Sequence, residues 1–348
     1  MASSRMDTLP LRRALVTGAT GMLGSYVVQC LTSAGCGVCA VVRDGMRAAW
    51  LRPLGAELVQ GDIANAHLLR DATAGCDAVF HAAAAIGPEA QWETFRAANV
   101  DGTRHVIDAC AAHGARLLYV SSTAVYGDSR YARAPLDETA ALPDLPQHDA
   151  YGRSKQEAER LVMRAHADGV VRAAIVRPPP MYGERDRQFV PRIAAVLTRG
   201  IFPLIGGGTT TLPLVHARNV AEGAILAVTN PRADGRTYNL TCDYRLTVAE
   251  LVRFAARGLE RRVFAPSIPV AAGRVLFRAL ELALVALGRR DVSRHTGGTL
   301  DMLTKDNPFA EQRARRELNW QPTVTPDAGV ADAFRWWKTH HRSTNATR

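Results

Sequence analysis

The chain is predicted to be an α/β protein, a doubly wound parallel sheet carrying a smaller, mainly helical lobe toward its C-terminus. Three observations predict this. Short apolar runs of strand length alternate with helical stretches through the first half. A glycine-spaced turn joins the first run to the first helix. After Arg177 the alternation breaks at Pro178-Pro179-Pro180 and at Gly206-Gly207-Gly208, and the rest is mostly helical.

Taken in order, Ala14-Leu15-Val16-Thr17 reads as a strand, Met22 to Ser33 as a helix, and Val38 to Val42 as a second strand. Glu57 to Val59 and Asp77 to Ala82 follow as further strands. A helix through Phe95 to His113 precedes the strand Leu117 to Ser121, and a helix over 151–168 leads into Val171 to Arg177. Strands that are apolar throughout, rather than alternating, belong to a sheet covered on both faces. Three consecutive prolines then stop any helix, and three glycines mark a loop. The later segments are a helix near 189–199, a strand near 237–240, and helices near 247–259, 269–287, 309–318 and 326–340.

Bulk composition narrows the classes. With 348 residues, 47% of them hydrophobic, the chain can bury a sizeable core. Met1 to Pro10 is polar and carries no apolar signal stretch, and no apolar run reaches spanning length. A cytoplasmic protein without a transmembrane segment is therefore expected. Six cysteines (Cys30, Cys36, Cys39, Cys76, Cys110 and Cys242) lie mostly in apolar segments and are expected to be reduced and buried. Cys36-x-x-Cys39 has no second cysteine pair or suitable histidine pair to complete a zinc site, so no metal is expected. The net charge of +10 comes from arginines spread along the chain, with no nucleic-acid module. A phosphate-bearing ligand is the plainer account of it.

Thr17-Gly18-Ala19-Thr20-Gly21-Met22-Leu23-Gly24 supplies such a site. Gly18 makes the tight turn, Gly21 admits a pyrophosphate, and Gly24 lets helix and strand pack closely. The helix N-terminus then offers N–H groups and partial positive charge, the Rossmann arrangement. Gly18, Thr20, Gly21, Met22 and Leu23 are the expected contacts. An acid at the end of the second strand would bind the adenosine ribose of NAD, but the strand reads Val41-Val42-Arg43-Asp44. A guanidinium at Arg43 suits a 2′-phosphate, so NADP is favoured over NAD, with Asp44 as the competing feature. Asp62 and Ile63 are expected beside the adenine. His81-Ala82-Ala83 is expected beside the cofactor, with Ala82 and Ala83 leaving it room, and Pro178 is placed with these contacts.

Tyr151 and Lys155 stand out because only three lysines occur in the chain, the others being Lys305 and Lys338. Four residues apart on a helix, they share a face. A free phenol has a pKa of about 10. A neighbouring ammonium lowers that value, so Lys155 is expected to make Tyr151 a working proton donor or acceptor for an alcohol/carbonyl pair. Both residues are also expected to contact the cofactor, with Lys155 hydrogen-bonding the nicotinamide ribose. Ser122, after the fifth strand, is expected to orient the substrate oxygen.

Thr-Gly-x-x-Gly-x-x-Gly, Val120-Ser-Ser-Thr-Ala-Val-Tyr-Gly127 and Tyr151-Gly-Arg-Ser-Lys155 together resemble the extended short-chain dehydrogenase/reductase family, of the NAD-dependent epimerase/dehydratase type. Asn99-Val100-Asp101-Gly102-Thr103 resembles that family's helix signature, which implies a supporting role for Asn99 in the active site. The resemblance implies a dinucleotide-binding domain over 11–182 with a returning segment near 212–240, and a substrate-binding lobe over 183–211 and 241–340. It also implies a homodimer as one way of pairing, through helices 91–113 and 151–168.

Departures from the pattern place the chain inside the family. Dehydratases carry an Asp-Glu pair after the catalytic Ser/Thr, where Thr123 and Ala124 stand here. Sugar-nucleotide epimerases usually carry an asparagine where Pro180 stands. Arg177-Pro178, the stretch 200–208, Leu214-Val215-His216 and Asn307-Pro308-Phe309 resemble the 3β-hydroxysteroid dehydrogenase and sterol decarboxylase branch, which also includes reductases of long-chain 2-alkyl-3-ketoacids. The resemblance implies a small, apolar substrate with a secondary alcohol or ketone. A nucleotide-sugar epimerase or 4-ketoreductase and a non-catalytic NADP-binding regulator are the alternatives. His216 is expected to be structural, near a helix start at Asn219. The apolar helix 269–287 carries Arg274, Arg278 and Glu281 on one side. It is open to three roles: a pocket wall, a peripheral membrane contact, or lobe packing and dimerisation.

Overall fold

The structure is a computed structural model that describes residues 9–87, 91–241, 244–286 and 296–345. Seven parallel strands form its sheet: β1 (Arg13–Thr17), β2 (Gly37–Val42), β3 (Ala56–Gln60), β4 (Ala78–His81), β5 (Arg116–Val120), β6 (Ala173–Arg177) and β7 (Thr237–Asn239). Their order is β3-β2-β1-β4-β5-β6-β7, so the winding reverses between β1 and β4. Thr17 lies in register with His81 at that reversal. A crevice opens there at the carboxyl ends of the strands, where ligands bind in open sheets of this kind.

Alternation within each strand feeds two cores. In β1, Ala14 and Val16 face one side and Leu15 the other. The first face is covered by α1 (Met22–Ser33) and α7 (Ala217–Thr229), the second by α2 (Ala66–Thr73), α4 (Gly102–His113) and α5 (Ala150–Ala167). A short helix, α3 (Trp92–Phe95), runs into α4 through a π-helical stretch, Arg96–Asp101. The helix expected from Phe95 thus begins three residues earlier and is widened in its first half.

A separate core collects α6 (Phe189–Leu197), α8 (Val248–Leu259) and the last helix, α12 (Pro326–Asn345). Between α8 and α12 lie α9 (Val270–Ala286), α10 (Thr296–Thr304) and α11 (Gln312–Leu318). Short parallel pairs, Leu204–Ile205 with Ser267–Ile268 and Met181–Tyr182 with Val215–His216, tie this part together. Ala314, Leu318 and Trp320 leave it and join the core against α1 and α7. Part of the range expected for the substrate lobe therefore packs on the sheet.

Two helices, α2 and α10, have no counterpart in the sequence-based expectations, and α7, expected only as a helix start at Asn219, begins two residues earlier and runs to Thr229. Asn65 caps α2, its Oδ1 accepting from Leu68 N at 3.0 Å. Ten of the thirteen residues of α7 are buried, so it has no polar face to give it a period.

Candidate active site

The turn after β1 is shaped by what it cannot hold. Gly18 sits at φ 71°, and a Cβ there would lie 2.6 Å from Ala83 N and 2.7 Å from the Ala82 carbonyl carbon. At Gly24 a Cβ would come within 2.2 Å of Gly18 O. Gly21 is exposed and precedes α1, where no side chain caps the helix and the first turn holds no acid. The first amides of α1 therefore stay open to an anion. Thr20 and Met22 are half-buried and Leu23 is buried beside them. The carboxyl ends of β1 and β4 are pinned together below this turn. Buried His81 shares hydrogen bonds with Thr17 Oγ1 at 2.7 Å and Thr103 Oγ1 at 3.1 Å. Burial, reinforced by Lys155, pushes its pKa down to about 3, so it stays neutral. This cradle fits a dinucleotide.

At the end of β2, Arg43 and Asp44 are both exposed. The Asp44 carboxylate is spent on its own turn, accepting from Met46 N and Arg47 N, each at 3.0 Å. Asp62 likewise closes its own turn through Ala64 N at 2.9 Å, and half-buried Ile63 packs over Gly102. The structure thus brings Gly18 to Leu23, Ala82 and Ala83 to one crevice, with Arg43, Asp62 and Ile63 placed after the two neighbouring strands.

On α5, Asp149 caps the helix, its Oδ1 accepting from Gly152 N at 2.9 Å. Tyr151 is half-buried, edge-on to Phe95 with ring centroids 5.9 Å apart. Lys155 is buried, its Nζ donating to Val120 O at 2.8 Å and lying 4.9 Å above the Tyr119 ring. Burial lowers the lysine to about 8, against the attraction of Glu159. The Tyr151 phenol is pushed up to about 12 by burial. A hydrogen bond from Ser122 opposes that rise, and Asp149 adds to it. The expected lowering by Lys155 is absent: its ammonium is turned onto a backbone carbonyl and a ring face, and burial outweighs it. At neutral pH the phenol keeps its proton.

Ser122 is half-buried, its Oγ also accepting from Ala124 N at 3.1 Å. Buried Pro178 holds that turn from β6, its carbonyl accepting from Thr123 N at 3.0 Å. Asn99 lies in the π-helical stretch and joins three segments. Its Oδ1 accepts from Ala85 N at 2.7 Å, and its Nδ2 donates to Ala85 O at 3.2 Å and Ser154 Oγ at 2.9 Å. Ser154 in turn donates to Tyr151 O at 2.8 Å. Widened π turns recur at functional sites because they re-aim a side chain, and this one aims Asn99.

Sequence reasoning missed the support behind the site. Arg177 grips Glu159 through two hydrogen bonds, 2.8 and 2.6 Å, with both side chains buried. Arg177 also donates to Tyr126 Oη at 2.9 Å, and that hydroxyl donates to Asn239 Oδ1 at 3.0 Å. Glu159 lies one turn beyond Lys155, which was the available signal. Ser121, set aside in favour of Ser122, buries a hydroxyl with no hydrogen-bond partner. His216 is buried and caps α7 at Ala217, its Nδ1 accepting from Arg218 N at 3.2 Å. It stands between the rings of Tyr26 and Tyr182, each at 5.3 Å. Cys36 and Cys39 are buried thiols, both pushed up to about 11 by burial, while Cys242 lies outside the described residues. Among the described residues no group of His, Cys, Asp and Glu is placed to hold a metal ion.

This fold and site define a nucleotide-binding oxidoreductase of the short-chain dehydrogenase kind. Residues 14–241 match the model of the NAD dependent epimerase/dehydratase family, and the chain belongs to that family. It is 31% identical to 4-hydroxy-2-methyl-3-oxo-4-farnesyl-3,4-dihydroquinoline-1-oxide ketoreductase of Stigmatella aurantiaca, over 93% of this chain and 96% of that one. It is 30% identical to 2-alkyl-3-oxoalkanoate reductase of Stenotrophomonas maltophilia, over 91% and 97%. Among solved structures, UDP-glucuronic acid 4-epimerase from Bacillus cereus in complex with NAD shares the fold. Its TM-score is 0.72 at 18% identity, covering 94% of this chain and 99% of that one. The protein is an NAD(P)-dependent dehydrogenase/reductase, and among the described residues no helix is long and apolar enough to cross a membrane.

Proposed function

We propose that the protein is an NADP-preferring reductase that converts a ketone on an apolar substrate to a secondary alcohol. The observation that carries this reading is the placement of Tyr151 and Lys155 one turn apart on α5, beside Ser122 at the end of β5, with burial keeping the phenol in its protonated form. A bound reduced nicotinamide would supply hydride to the carbonyl carbon. Ser122 then holds the carbonyl oxygen, and Tyr151 delivers its proton to that oxygen as negative charge builds there. Lys155, leaving Val120 O, places a cation beside the phenol and favours release of its proton. Asn99 and Ser154 fix the height of Tyr151 against the loop after β4. Gly18, Thr20, Gly21, Met22, Leu23, Ala82, Ala83 and Pro178 line the dinucleotide.

Arg43 beside an Asp44 already bonded within its turn supports the 2′-phosphorylated cofactor. Thr123 and Ala124 stand where dehydration would need an acid and a base. The two ketoreductase relatives, one acting on a farnesylated ring by its name and one on a 2-alkyl-3-oxoalkanoate, support an apolar ketone. The part built on α6, α8 and α9 is the proposed substrate side, with 11–182 and 212–240 as the cofactor side.

The test is oxidation of NADPH and of NADH against 2-alkyl-3-ketoacids, 3-ketosteroids and 4-ketosugars. Turnover of either of the first two classes with NADPH is expected. Turnover confined to 4-ketosugars, or Tyr151→Phe retaining full rate on the best substrate, would overturn the proposal.

A further inference from the structure

Helix α9 is apolar in sequence yet stands largely in solvent. Val275 is 71% exposed and Leu282 58%, with Leu276 exposed beside them. At the helical spacing Val275, Ala279, Leu282 and Ala286 share one outward face, while Arg274, Arg278 and Glu281 form the adjoining stripe. The helix is seated at its start where Gly273 lets it approach Ile205, whose Cγ2 would lie 2.8 Å from a Cβ there, and it packs on one side against α10. The Ile205 contact joins it to the ribbon formed by Leu204–Ile205 and Ser267–Ile268. At the near end of the ribbon, Ile201 and Phe264 pair across an isolated bridge, and Phe264 is 68% exposed.

The charge around these residues is one-sided. From 261 to 286 the chain has four arginines, Arg261, Arg262, Arg274 and Arg278, and one acid, Glu281, which pairs with Arg278 at 2.9 Å. All four arginines are exposed. Large apolar side chains in solvent, flanked by arginine on a protein of net charge +10, match an anionic lipid surface in both of its properties. A second copy of the chain would bring the same arginines against each other.

We infer that α9 and the Ile201/Phe264 bridge form a peripheral docking surface for an anionic lipid bilayer. The apolar face enters the acyl boundary, and the arginines meet the phosphates. The inference does not depend on the reaction proposed above, because its readout is lipid binding and needs no substrate.

The experiment is flotation of the full chain with vesicles of phosphatidylcholine alone and of phosphatidylcholine mixed with phosphatidylglycerol, at two salt concentrations. Binding to the anionic vesicles, weakened by salt, is expected. Arg274→Ser and Arg278→Ser should each weaken it about fivefold, and Val275→Ser with Leu282→Ser should abolish it. Thermal melting and NADPH fluorescence confirm that each variant is folded. If the apolar pair does not fold, the arginine variants alone decide. Absence of vesicle binding, equal binding to both vesicle types, or a wild-type dimer that Val275→Ser dissociates without any lipid effect would overturn the inference.

Discussion

At the residue scale the site turns on two titrations. Tyr151, near 12, keeps its proton throughout the physiological range, whereas Lys155, near 8, is charged at neutral pH and loses its proton only toward the alkaline edge of that range. In the proposed reaction Tyr151→Phe removes the proton delivered to the carbonyl oxygen. Its kcat should fall about 10²–10⁴-fold with NADPH affinity unchanged, as read by steady-state rates and fluorescence titration. The ammonium of Lys155 is present below about 8 and lost above it, so kcat/KM for reduction should decline as pH rises through that value. The same depression affects stability in the opposite sense. Between about 8 and the ordinary 10.5 the unfolded chain binds a proton that the folded one does not, so this group makes stability rise with pH across that window. Arg43→Ala should weaken NADPH far more than NADH, which initial rates with both cofactors would measure. Tyr151 and Lys155 were legible because lysine is so scarce that its one placement four residues after a tyrosine stands out. The pairing of Glu159 with Arg177 was not, because although Glu159 stands one turn beyond Lys155, a buried ion pair between a helix and a strand leaves no spacing that names its partner.

At the element scale, the parallel strands were legible because burial on both faces makes each an unbroken apolar run, and α1 because its glycine turn announces it. The same turn is intolerant of small additions. Gly24→Ala would press a methyl against Gly18 O, and overpacking of this kind costs about 1–3 kcal/mol, so chemical denaturation should show a loss of that size along with weaker NADPH binding. The start of α7 was legible near Asn219, but its extent was not, because burial on nearly all sides erases the periodicity that marks a surface helix. The π-helical widening escaped because it arises from tertiary fit, in which the Asn99 side chain must reach both Ala85 and Ser154. The Glu159–Arg177 pair locks α5 to β6 behind the active site. Arg177→Met leaves a buried carboxylate without its partner, which costs about 3–5 kcal/mol, and urea unfolding would measure it.

At the scale of the whole molecule, the sequence suggests a sheet domain over 11–182 with a return near 212–240, interleaved with a lobe over 183–211 and 241–340. The coordinates tie the two more closely. Trp320 is fully buried and donates to Asn219 O at 2.9 Å, and it fits only because position 223 is glycine, where a Cβ would lie 2.9 Å from its indole nitrogen. Asn219 Oδ1 accepts from Thr323 N and Val324 N, both at 2.9 Å, and Asn239 Nδ2 donates to Ala310 O at 3.0 Å. Arg185, at φ 66°, stacks its guanidinium 4.2 Å from the Trp50 ring and 5.9 Å from that of Trp336. A lone tryptophan between Asn319 and Gln321 carries no period, so nothing in the sequence marked it as core of the sheet's α7 face. Residues 309–324 thus pack on α7 and on the edge strand β7, within the same core that α1, α7 and β1 share. A chain ending at Asp306 should therefore fail to fold its sheet as well as its lobe. Trp320→Ala, which opens a cavity without removing the segment, should cost about 3–5 kcal/mol. Circular dichroism and NADPH fluorescence of the truncated chain decide the matter: a sheet that depends on its C-terminal segment gives neither native signal, whereas a self-sufficient N-terminal half would keep both.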